Sequence, residues 1–155
     1  MEIAIANLNR IRTIKGLTYN DLAHITGYSK NSIQKLLSYN NEGKSRLDIL
    51  IAVCTALDID FPSIFKRGFG DYDRTREHLH YGSNNDVRTE YYLRKFINRV
   101  YTENKNFTNF HLKTISGLSE STISDLLNFK TKNPRVETLI KIAKGLDIPV
   151  EEMFR

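Results

Sequence analysis

Few side chains in this sequence have the types and spacing that catalysis or metal binding requires. His78 and His80 stand close together, but no pair of Cys, His or carboxylate residues at ligand spacing accompanies them. The single cysteine, Cys54, falls on the apolar side of a helical pattern and can form neither an internal disulfide nor a thiolate cluster. We find no Ser/His/Asp or Cys/His combination and no phosphate-binding loop. The sequence therefore predicts a protein that is not an enzyme and that has no metal and no cofactor.

The composition predicts a soluble globular chain. It has 155 residues, of which 40% are hydrophobic and 26% charged, and a formal net charge of +5. That length allows one ordinary domain or two very small ones. No apolar run approaches the ~18 residues that a membrane span needs, and no secretory leader opens the chain, so we expect no membrane contact. The mildly basic charge is compatible with a polyanionic partner.

An internal repeat organises the chain. Residues 17–37 align with residues 107–127 at an offset of 90, and residues 47–65 align with residues 136–154 at an offset of 89. The matching pairs mostly repeat an apolar framework and include Leu22/Leu112, Gly27/Gly117, Ile33/Ile123, Leu36/Leu126, Leu50/Leu139, Asp58/Asp147 and Phe65/Phe154. We therefore predict two copies of one small domain, at residues 1–66 and 87–155.

Residues 67–86 form the predicted linker between the copies. They carry a net charge of −1, against +2 for residues 1–66 and +4 for residues 87–155, and they hold three of the eight glycines. Their apolar residues show little periodicity, which is typical of a connector. The aromatic residues Phe69, Tyr72 and Tyr81 suggest that it packs on a domain, and a loose linker is the alternative.

Each copy divides into five short helices. In the first copy an opening helix covers about residues 2–15, and Thr18 is an N-cap for the second helix, which buries Leu22 and Ile25. That helix ends at Gly27, because a residue that accepts positive φ turns the chain there.

The other helices of the first copy follow the same kinds of signal. Ser29 caps the third helix, Ser45 with Asp48 starts a longer fourth helix, and Pro62 lies in the first turn of the last one. The second copy gives helices at about 88–104, 108–115, 119–127, 135–146 and 149–154. No segment alternates with a period of two, so the predicted fold class is all-α.

The helix pair and its flanks resemble a known family. The residues Leu22-Ala23, Gly27-Tyr28-Ser29 and Ser32-Ile33 in the first copy, with Ser121-Thr122-Ile123 and Thr138-Leu139-Ile140-Lys141-Ile142-Ala143 in the second, closely resemble the phage repressor and Cro (XRE-like) helix-turn-helix proteins. The resemblance implies two tandem five-helix domains whose third helix enters the major groove of double-stranded DNA. It also implies a cytoplasmic protein of a bacterial or phage-infected cell, associated with the nucleoid.

The third helix of the first copy presents side chains suited to reading DNA. Lys is suited to guanine, and Asn and Gln are suited to adenine. The candidate contacts on this helix are Ser29, Lys30, Asn31, Gln34 and Lys35. Tyr19 and Asn20 are candidates for the DNA backbone, and the loop residues Lys44 and Arg46 are further candidates for phosphates.

The second copy offers a less basic surface. Its candidate DNA contacts are Ser119, Ser121, Thr122 and Ser124 on the third helix, with Asn128, Lys130 and Lys132 in the loop that follows. Glu120 and Asp125 also face outward there and are unfavourable beside phosphates, although a carboxylate can accept from cytosine N4. Lys113 stands where the first copy has Ala23, a departure from the family pattern at a helix crossing; its stem can snorkel outward.

Three functions remain open. The first is a sequence-specific transcriptional regulator, a repressor by resemblance, that uses both copies. The second keeps DNA binding in the first copy and assigns the second copy to a protein target or to dimerisation. The third is a protein inhibitor with a residual DNA-binding fold. For the DNA-bound state we favour a homodimer joined through Tyr91-Tyr92-Leu93 over one chain that carries both readers.

Overall fold

The computed structural model describes residues 1–69, 84–103 and 108–155, and these residues form an all-α protein. The first repeat contains α1 (Glu2–Ile14), α2 (Tyr19–Thr26), α3 (Lys30–Leu36), α4 (Leu47–Ala56) and a 3₁₀ helix (Pro62–Phe65). The second contains α5 (Asn85–Glu103), α6 (Asn109–Ser116), α7 (Glu120–Leu127), α8 (Val136–Gly145) and α9 (Val150–Met153). The prediction of two tandem five-helix domains is confirmed, with the fifth helix of the first repeat wound as 3₁₀.

The short helices begin and end at the same local signals in both repeats. Thr18 and Thr108 accept hydrogen bonds at the starts of α2 and α6, and both helices end at a glycine in the left-handed region, Gly27 and Gly117. Because only glycine adopts that conformation at little steric cost, the chain can turn sharply into the next helix. The predicted helix-turn-helix geometry therefore follows from residues within each repeat.

One apolar core runs through both repeats. Leu22 and Leu112 are fully buried at equivalent positions, and so are Ile33 and Ile123. The prediction that α2 buries Ile25 is wrong, because this side chain is 54% exposed. In an eight-residue helix, the narrow stripe that faces the core is centred on Leu22, and Ile25 lies outside it.

Helix α4 is buried on nearly every side. It packs against α2 and α3 of its own repeat and against α5 of the second repeat. Its residues from Ile49 to Cys54 are all buried as a result. Cys54 lies in this interior, where burial raises the pKa of its thiol.

Two helix starts differ from the sequence prediction. α4 begins at Leu47 rather than at Ser45, with Arg46 at the N-cap and no side-chain cap of its own. α5 begins at Asn85, inside the stretch assigned to the linker, and Asn85 Nδ2 donates to the Asp48 carbonyl over 3.0 Å. The start of α4 depends on contacts between the repeats, which local sequence patterns do not reveal. α5 also has a local cap, because Asn84 Oδ1 accepts from the Asp86 N–H over 2.8 Å.

The predicted linker is only partly described. Phe69 is buried, and Arg10 Nη2 donates to its carbonyl over 2.6 Å, so the start of this stretch packs on the first repeat. Tyr72, Tyr81, His78 and His80 lie outside the described residues.

The repeats meet through an aromatic cluster. The Phe65 and Phe154 rings, which occupy equivalent repeat positions, stack with centroids 6.1 Å apart. Phe61 lies edge-on to both Tyr92 and Phe154, with 4.8 Å between ring centroids in each pair. In the predicted dimer surface Tyr91-Tyr92-Leu93, Tyr92 and Leu93 are thus buried inside one chain and Tyr91 is half-buried.

Candidate nucleic-acid interface

Helix α3 is held firmly at both ends. The Ser29 hydroxyl caps its start by accepting from the Ser32 backbone N–H over 3.1 Å. At its end, Asn9 Nδ2 of α1 donates to the Leu37 carbonyl over 2.9 Å. Ile33 and Leu36 anchor the inner face in the core.

The outer face of α3 carries the predicted reading residues. The side chains exposed there are Lys30, Asn31, Gln34 and Lys35. An anchored helix whose exposed face bears two ammonium and two amide groups offers donors and acceptors that match base edges in a major groove. Ser29 is also exposed, but its oxygen is engaged in the cap.

The start of α2 is capped by side chains and lies next to a cation. Thr18 and Asp21 form a capping box, in which the Thr18 N–H donates to Asp21 Oδ2 over 2.7 Å. That backbone hydrogen bond, with a second one from the Thr18 hydroxyl, lowers the pKa of Asp21. The Arg12 guanidinium lies 4.6 Å from the centre of the half-buried Tyr19 ring, while Asn20 is exposed. Arg12 is a cation at this edge that the sequence reasoning did not select.

The loop after α3 forms a groove with the second repeat. Lys44 and Arg46 are exposed, and the Lys44 ammonium lies 3.4 Å from a Glu42 carboxylate oxygen. The groove has a volume of about 530 Å³. Its lining includes Tyr28, Ser32, Lys35, Lys44, Arg46, Asp48 and, from the other repeat, Asn133.

Tyr28 lines this groove, and its side chain is held by a hydrogen bond. Its hydroxyl donates to Asp48 Oδ2 over 2.7 Å. Burial, and then the hydrogen bond to Asp48, raise the pKa of the Tyr28 phenol far above its ordinary value. The phenol therefore stays neutral and keeps its hydrogen bond across the physiological pH range.

Most hydroxyl groups on the outer side of α7 form hydrogen bonds within the helix or with its cap. Ser119 caps the helix by accepting from the Thr122 N–H over 3.2 Å, and its oxygen also lies 2.8 Å from Thr122 Oγ1 and 3.2 Å from Ser121 Oγ. Ser124 Oγ accepts from Asn128 Nδ2 over 3.1 Å. Glu120 and Asp125 are exposed. The outward surface of α7 is thus acidic where that of α3 is basic.

The loop after α7 restores some positive charge. Lys130, Lys132 and Arg135 are exposed there, together with Asn128 at the end of α7. A cleft of about 170 Å³ lies beside this loop. It brings Arg46 of the first repeat together with Thr122 and Leu126 of α7, and with Thr131, Pro134, Arg135 and Thr138.

The crossing at Lys113 is open to solvent. Lys113 is exposed, with its ammonium 5.8 Å from the centre of the Phe110 ring, so the side chain extends away from the helix crossing. The close approach of α6 and α8 occurs instead at Gly145, where a Cβ would lie 2.8 Å from the Ile115 carbonyl oxygen.

Asn133 is a further residue of the groove that the sequence reasoning missed. Its Oδ1 accepts from the Asp48 N–H of α4 over 3.1 Å, and its carbonyl accepts from Arg46 Nη1 over 2.9 Å. The one sequence signal was the one-residue slip of the repeat alignment in this loop, because the slip marks where the two loops differ.

Across residues 1–69, 84–103 and 108–155, no group of three His, Cys, Asp or Glu side chains is arranged to hold a metal ion. Within those ranges, no helix is both long and apolar enough to cross a membrane.

Family comparisons agree with the helix geometry. A family model described as a Cro/C1-type HTH DNA-binding domain matches residues 7–67, and one described as helix-turn-helix matches residues 112–153. No curated protein and no solved structure matches the chain. Each matched range includes the left-handed glycine that joins a helix pair and the serine that caps the second helix of the pair, and the second range begins within α6. The chain therefore carries two helix-turn-helix domains in tandem, consistent with the XRE-like family, and the first of them is a Cro/C1-type DNA-binding domain.

Proposed function

We propose that this protein is a sequence-specific transcriptional regulator that reads the DNA major groove with α3. The observation that carries the proposal is the exposed face of α3, where Lys30, Asn31, Gln34 and Lys35 project from a helix anchored at both ends. Anchoring matters because base discrimination requires side chains held in one register with the groove.

The proposed contacts divide into two groups. Lys30, Asn31 and Gln34 contact base edges, since ammonium and amide groups match guanine and adenine there. Lys35 and Arg46 contact the DNA backbone and set the register of the protein. The remaining backbone candidates of the first repeat are Tyr19, Asn20, Ser29 and Lys44.

The second repeat contributes fewer contacts in this proposal. Its candidates are Ser119, Ser121, Thr122, Ser124, Asn128, Lys130 and Lys132. We assign Lys130 and Lys132 to phosphates, because both are exposed cations in the loop after α7. The hydroxyl residues already have partners within α7, so they can add only weak base preference.

We further propose that the regulator is a repressor. A protein bound across promoter DNA excludes polymerase by occupying the same surface, and this needs no contact beyond DNA binding. The resemblance to phage repressors and Cro also supports repression rather than activation. A reporter gene behind the selected DNA site should lose expression when the protein is present, and increased expression would contradict this assignment.

Random-site selection followed by binding titrations tests the proposed reader. Gln34→Ala should cost about 1–3 kcal/mol on the selected site and relax preference at one base pair. Arg46→Ala should weaken binding to all sequences alike and reduce the salt dependence. Asn98→Ala, an exposed amide on α5, is the control. Unchanged affinity and preference for Gln34→Ala would show that α3 is not the reading helix.

A second candidate function is supported by the surface of the second repeat. There, Glu120 and Asp125 are exposed, and Phe110 is 63% exposed where the first repeat has Asn20. An acidic surface with an exposed aromatic ring suits a protein partner better than a phosphate backbone. Neutralising Lys30 and Lys35 should abolish DNA binding under either function. Altering Ser121 and Thr122 should leave the base preference unchanged if this repeat serves a protein, and should weaken that preference slightly if it contacts DNA.

A further inference from the structure

We infer that a single chain is the complete DNA-binding unit: its repeats are joined as a pseudo-two-fold pair, and it binds two unlike half-sites at one fixed spacing. The inference rests on the proposed DNA-reading function and adds to it how the two repeats share one site. It replaces the homodimer that the sequence alone favoured.

The first evidence is an exchanged pair of backbone hydrogen bonds. Arg46 and Arg135, at equivalent repeat positions, face each other in an isolated antiparallel bridge. The Leu47 N–H donates to the Pro134 carbonyl and the Val136 N–H donates to the Ser45 carbonyl, each over 3.0 Å. Exchange of the two repeats converts one bond into the other, which is the signature of a two-fold interface. We call residues 43–48 and 133–137 the clasp.

The second evidence is another pair of equivalent residues in contact. The stacked rings of Phe65 and Phe154 repeat the pattern of Arg46 and Arg135 at a different place in the interface. In a two-fold arrangement, a residue touches its own counterpart only near the axis. Two such pairs therefore define a pseudo-two-fold axis within one chain.

The clasp also holds the repeats close together. The Glu137 N–H donates to the Gly43 carbonyl over 2.8 Å, while the Asp48 N–H donates to Asn133 Oδ1 over 3.1 Å. Neither α4 nor α8 has a side-chain cap from its own N-cap residue, so each helix start is satisfied by the opposite repeat. Gly43 has φ +81°, and a Cβ there would lie 3.0 Å from the Glu137 nitrogen. A rigid joint of this kind sets one distance between α3 and α7.

Both reading helices flank the clasp. Asn133 of the second repeat lines the groove beside Ser32 and Lys35 of α3, and Arg46 of the first repeat lines the cleft beside Thr122 of α7. Arg46 and Arg135 are both exposed, are paired through their backbones on the axis, and line the same cleft. Two exposed cationic residues beside the axis favour a polyanion over that surface, so a duplex lying across the axis meets α3 on one side and α7 on the other.

The two half-sites must differ because the two reading helices differ. α3 offers Lys30, Asn31, Gln34 and Lys35, whereas α7 offers hydroxyl groups with Glu120 and Asp125. A palindromic site has two identical half-sites, so α7 would face the bases that suit α3 and not its own side chains. The best site is therefore an inverted pair of unequal halves, with most of the sequence information in the half that α3 reads.

The first experiment measures mass and spacing with the intact protein. Light scattering should give 18.0 kDa for the free chain and one chain for each DNA duplex in the complex. Insertion of two base pairs between the selected half-sites should lower affinity at least tenfold, because the insertion rotates and displaces one half-site relative to the other. Scrambling the α7 half-site at the native spacing should lower affinity less than scrambling the α3 half-site.

The second experiment loosens the clasp. Gly43→Ala should reduce the penalty of the two-base-pair insertion at least threefold, because the repeats lose their fixed separation. Gly68→Ala is the matched control, since Gly68 has φ +69° but has open space around it. If Gly43→Ala does not fold, Asn133→Leu against Asn133→Asp gives the same comparison, because aspartate keeps the capping oxygen.

The outcomes separate this inference from the proposed function. Twice the monomer mass on a palindromic site, or affinity independent of spacing in the wild-type protein, overturns the single-chain unit while α3 remains the reader. Loss of affinity only when the α3 half-site changes also overturns it. Absence of specific binding to any selected DNA instead overturns the proposed function itself.

Discussion

The two repeats share their framework and differ on their exposed faces. Thr18 and Thr108, Gly27 and Gly117, and Ser29 and Ser119 perform the same capping or turning roles. Asp58 and Asp147 even share the same left-handed backbone, each with φ 56°. These residues are equivalent in the two repeats because they set the ends of the helices and the turn between them.

The outer faces of α3 and α7 have had no such constraint. Lys30 and Lys35 in one repeat stand where Glu120 and Asp125 stand in the other. Substitution of an exposed side chain usually changes stability little. The residue types on each outer face can therefore match the ligand that the face binds. The comparison teaches that the fold is common to both repeats, while the ligand preference belongs to each face separately.

Truncation of equivalent core residues should have the largest effect. Leu22→Ala and Leu112→Ala should each reduce the free energy of unfolding by about 2–5 kcal/mol, because both side chains are fully buried. One core spans both repeats, so urea denaturation followed by circular dichroism should show a single transition for each variant. Ile25→Ala should change stability by less than about 0.5 kcal/mol. Two separate transitions would show that the repeats unfold independently.

A smaller difference between the repeats lies at the ends of α4 and α8. Gly145→Ala should destabilise the protein by about 1–3 kcal/mol, because the new Cβ meets the Ile115 carbonyl oxygen. The figure of about 1–3 kcal/mol is a net loss: the clash costs more than the roughly 1 kcal/mol of helix propensity that alanine gains over glycine. The first repeat has Ala56 at the equivalent position, and Ala56→Gly serves as the converse variant. Thermal unfolding of both variants measures the comparison, and a stabilised Gly145→Ala protein contradicts it.

Exchange of the outer charges should make α7 resemble α3. The double variant Glu120→Lys with Asp125→Lys should raise affinity for DNA roughly tenfold, about 1.4 kcal/mol. The slope of log affinity against log salt should steepen by about one unit for each new phosphate contact. Glu151→Lys with Glu152→Lys on α9 makes the same change of net charge and is the control. Equal gains in both double variants would mean that α7 lies away from the DNA.

The smallest expected effect concerns the start of α2. Hydrogen bonds from Thr18 lower the pKa of Asp21, so the carboxylate stabilises the folded protein above its unfolded pKa. That contribution is lost as the pH falls through the lowered, folded-state pKa. The stability difference between the wild type and Asp21→Asn should therefore narrow toward acid in denaturation measured from pH 6 to pH 2. Thr108→Ala removes the cap of α6, and its effect should not vary with pH in this way.

Local signals predicted much of the fold. The ends of α2, α3, α6 and α7 depend on capping residues and glycines within a few positions, so sequence reasoning located them within a residue. The start of α4 could not be predicted in this way, because Asp48 receives its cap from Asn133 of the other repeat and such distant pairs leave no periodic pattern. At the start of α5, Asn84 Oδ1 accepts locally from the Asp86 N–H, and the bond from Asn85 to Asp48 adds a contact with the first repeat.

The candidate site was predictable in its residue types and not in its arrangement. The exposure of Lys30, Asn31, Gln34 and Lys35 follows from the helical period once Ile33 and Leu36 are assigned to the core. The groove that joins Lys35 to Asn133 depends on how the two repeats pack, and that packing rests on backbone atoms of the clasp. Backbone hydrogen bonds carry no side-chain signature in the sequence.

The sharing of helix caps across the clasp has a consequence for biosynthesis. A ribosome releases the first repeat before the second exists, and at that moment α4 lacks both the cap from Asn133 and the cover of α5. The nascent half then exposes the apolar outer side of a helix whose residues from Ile49 to Cys54 are all buried in the complete chain. Messages that end early should yield fragments that chaperones and proteases remove. Truncation of the gene should thus act as simple loss of function, without a stable half-protein that competes with the intact one.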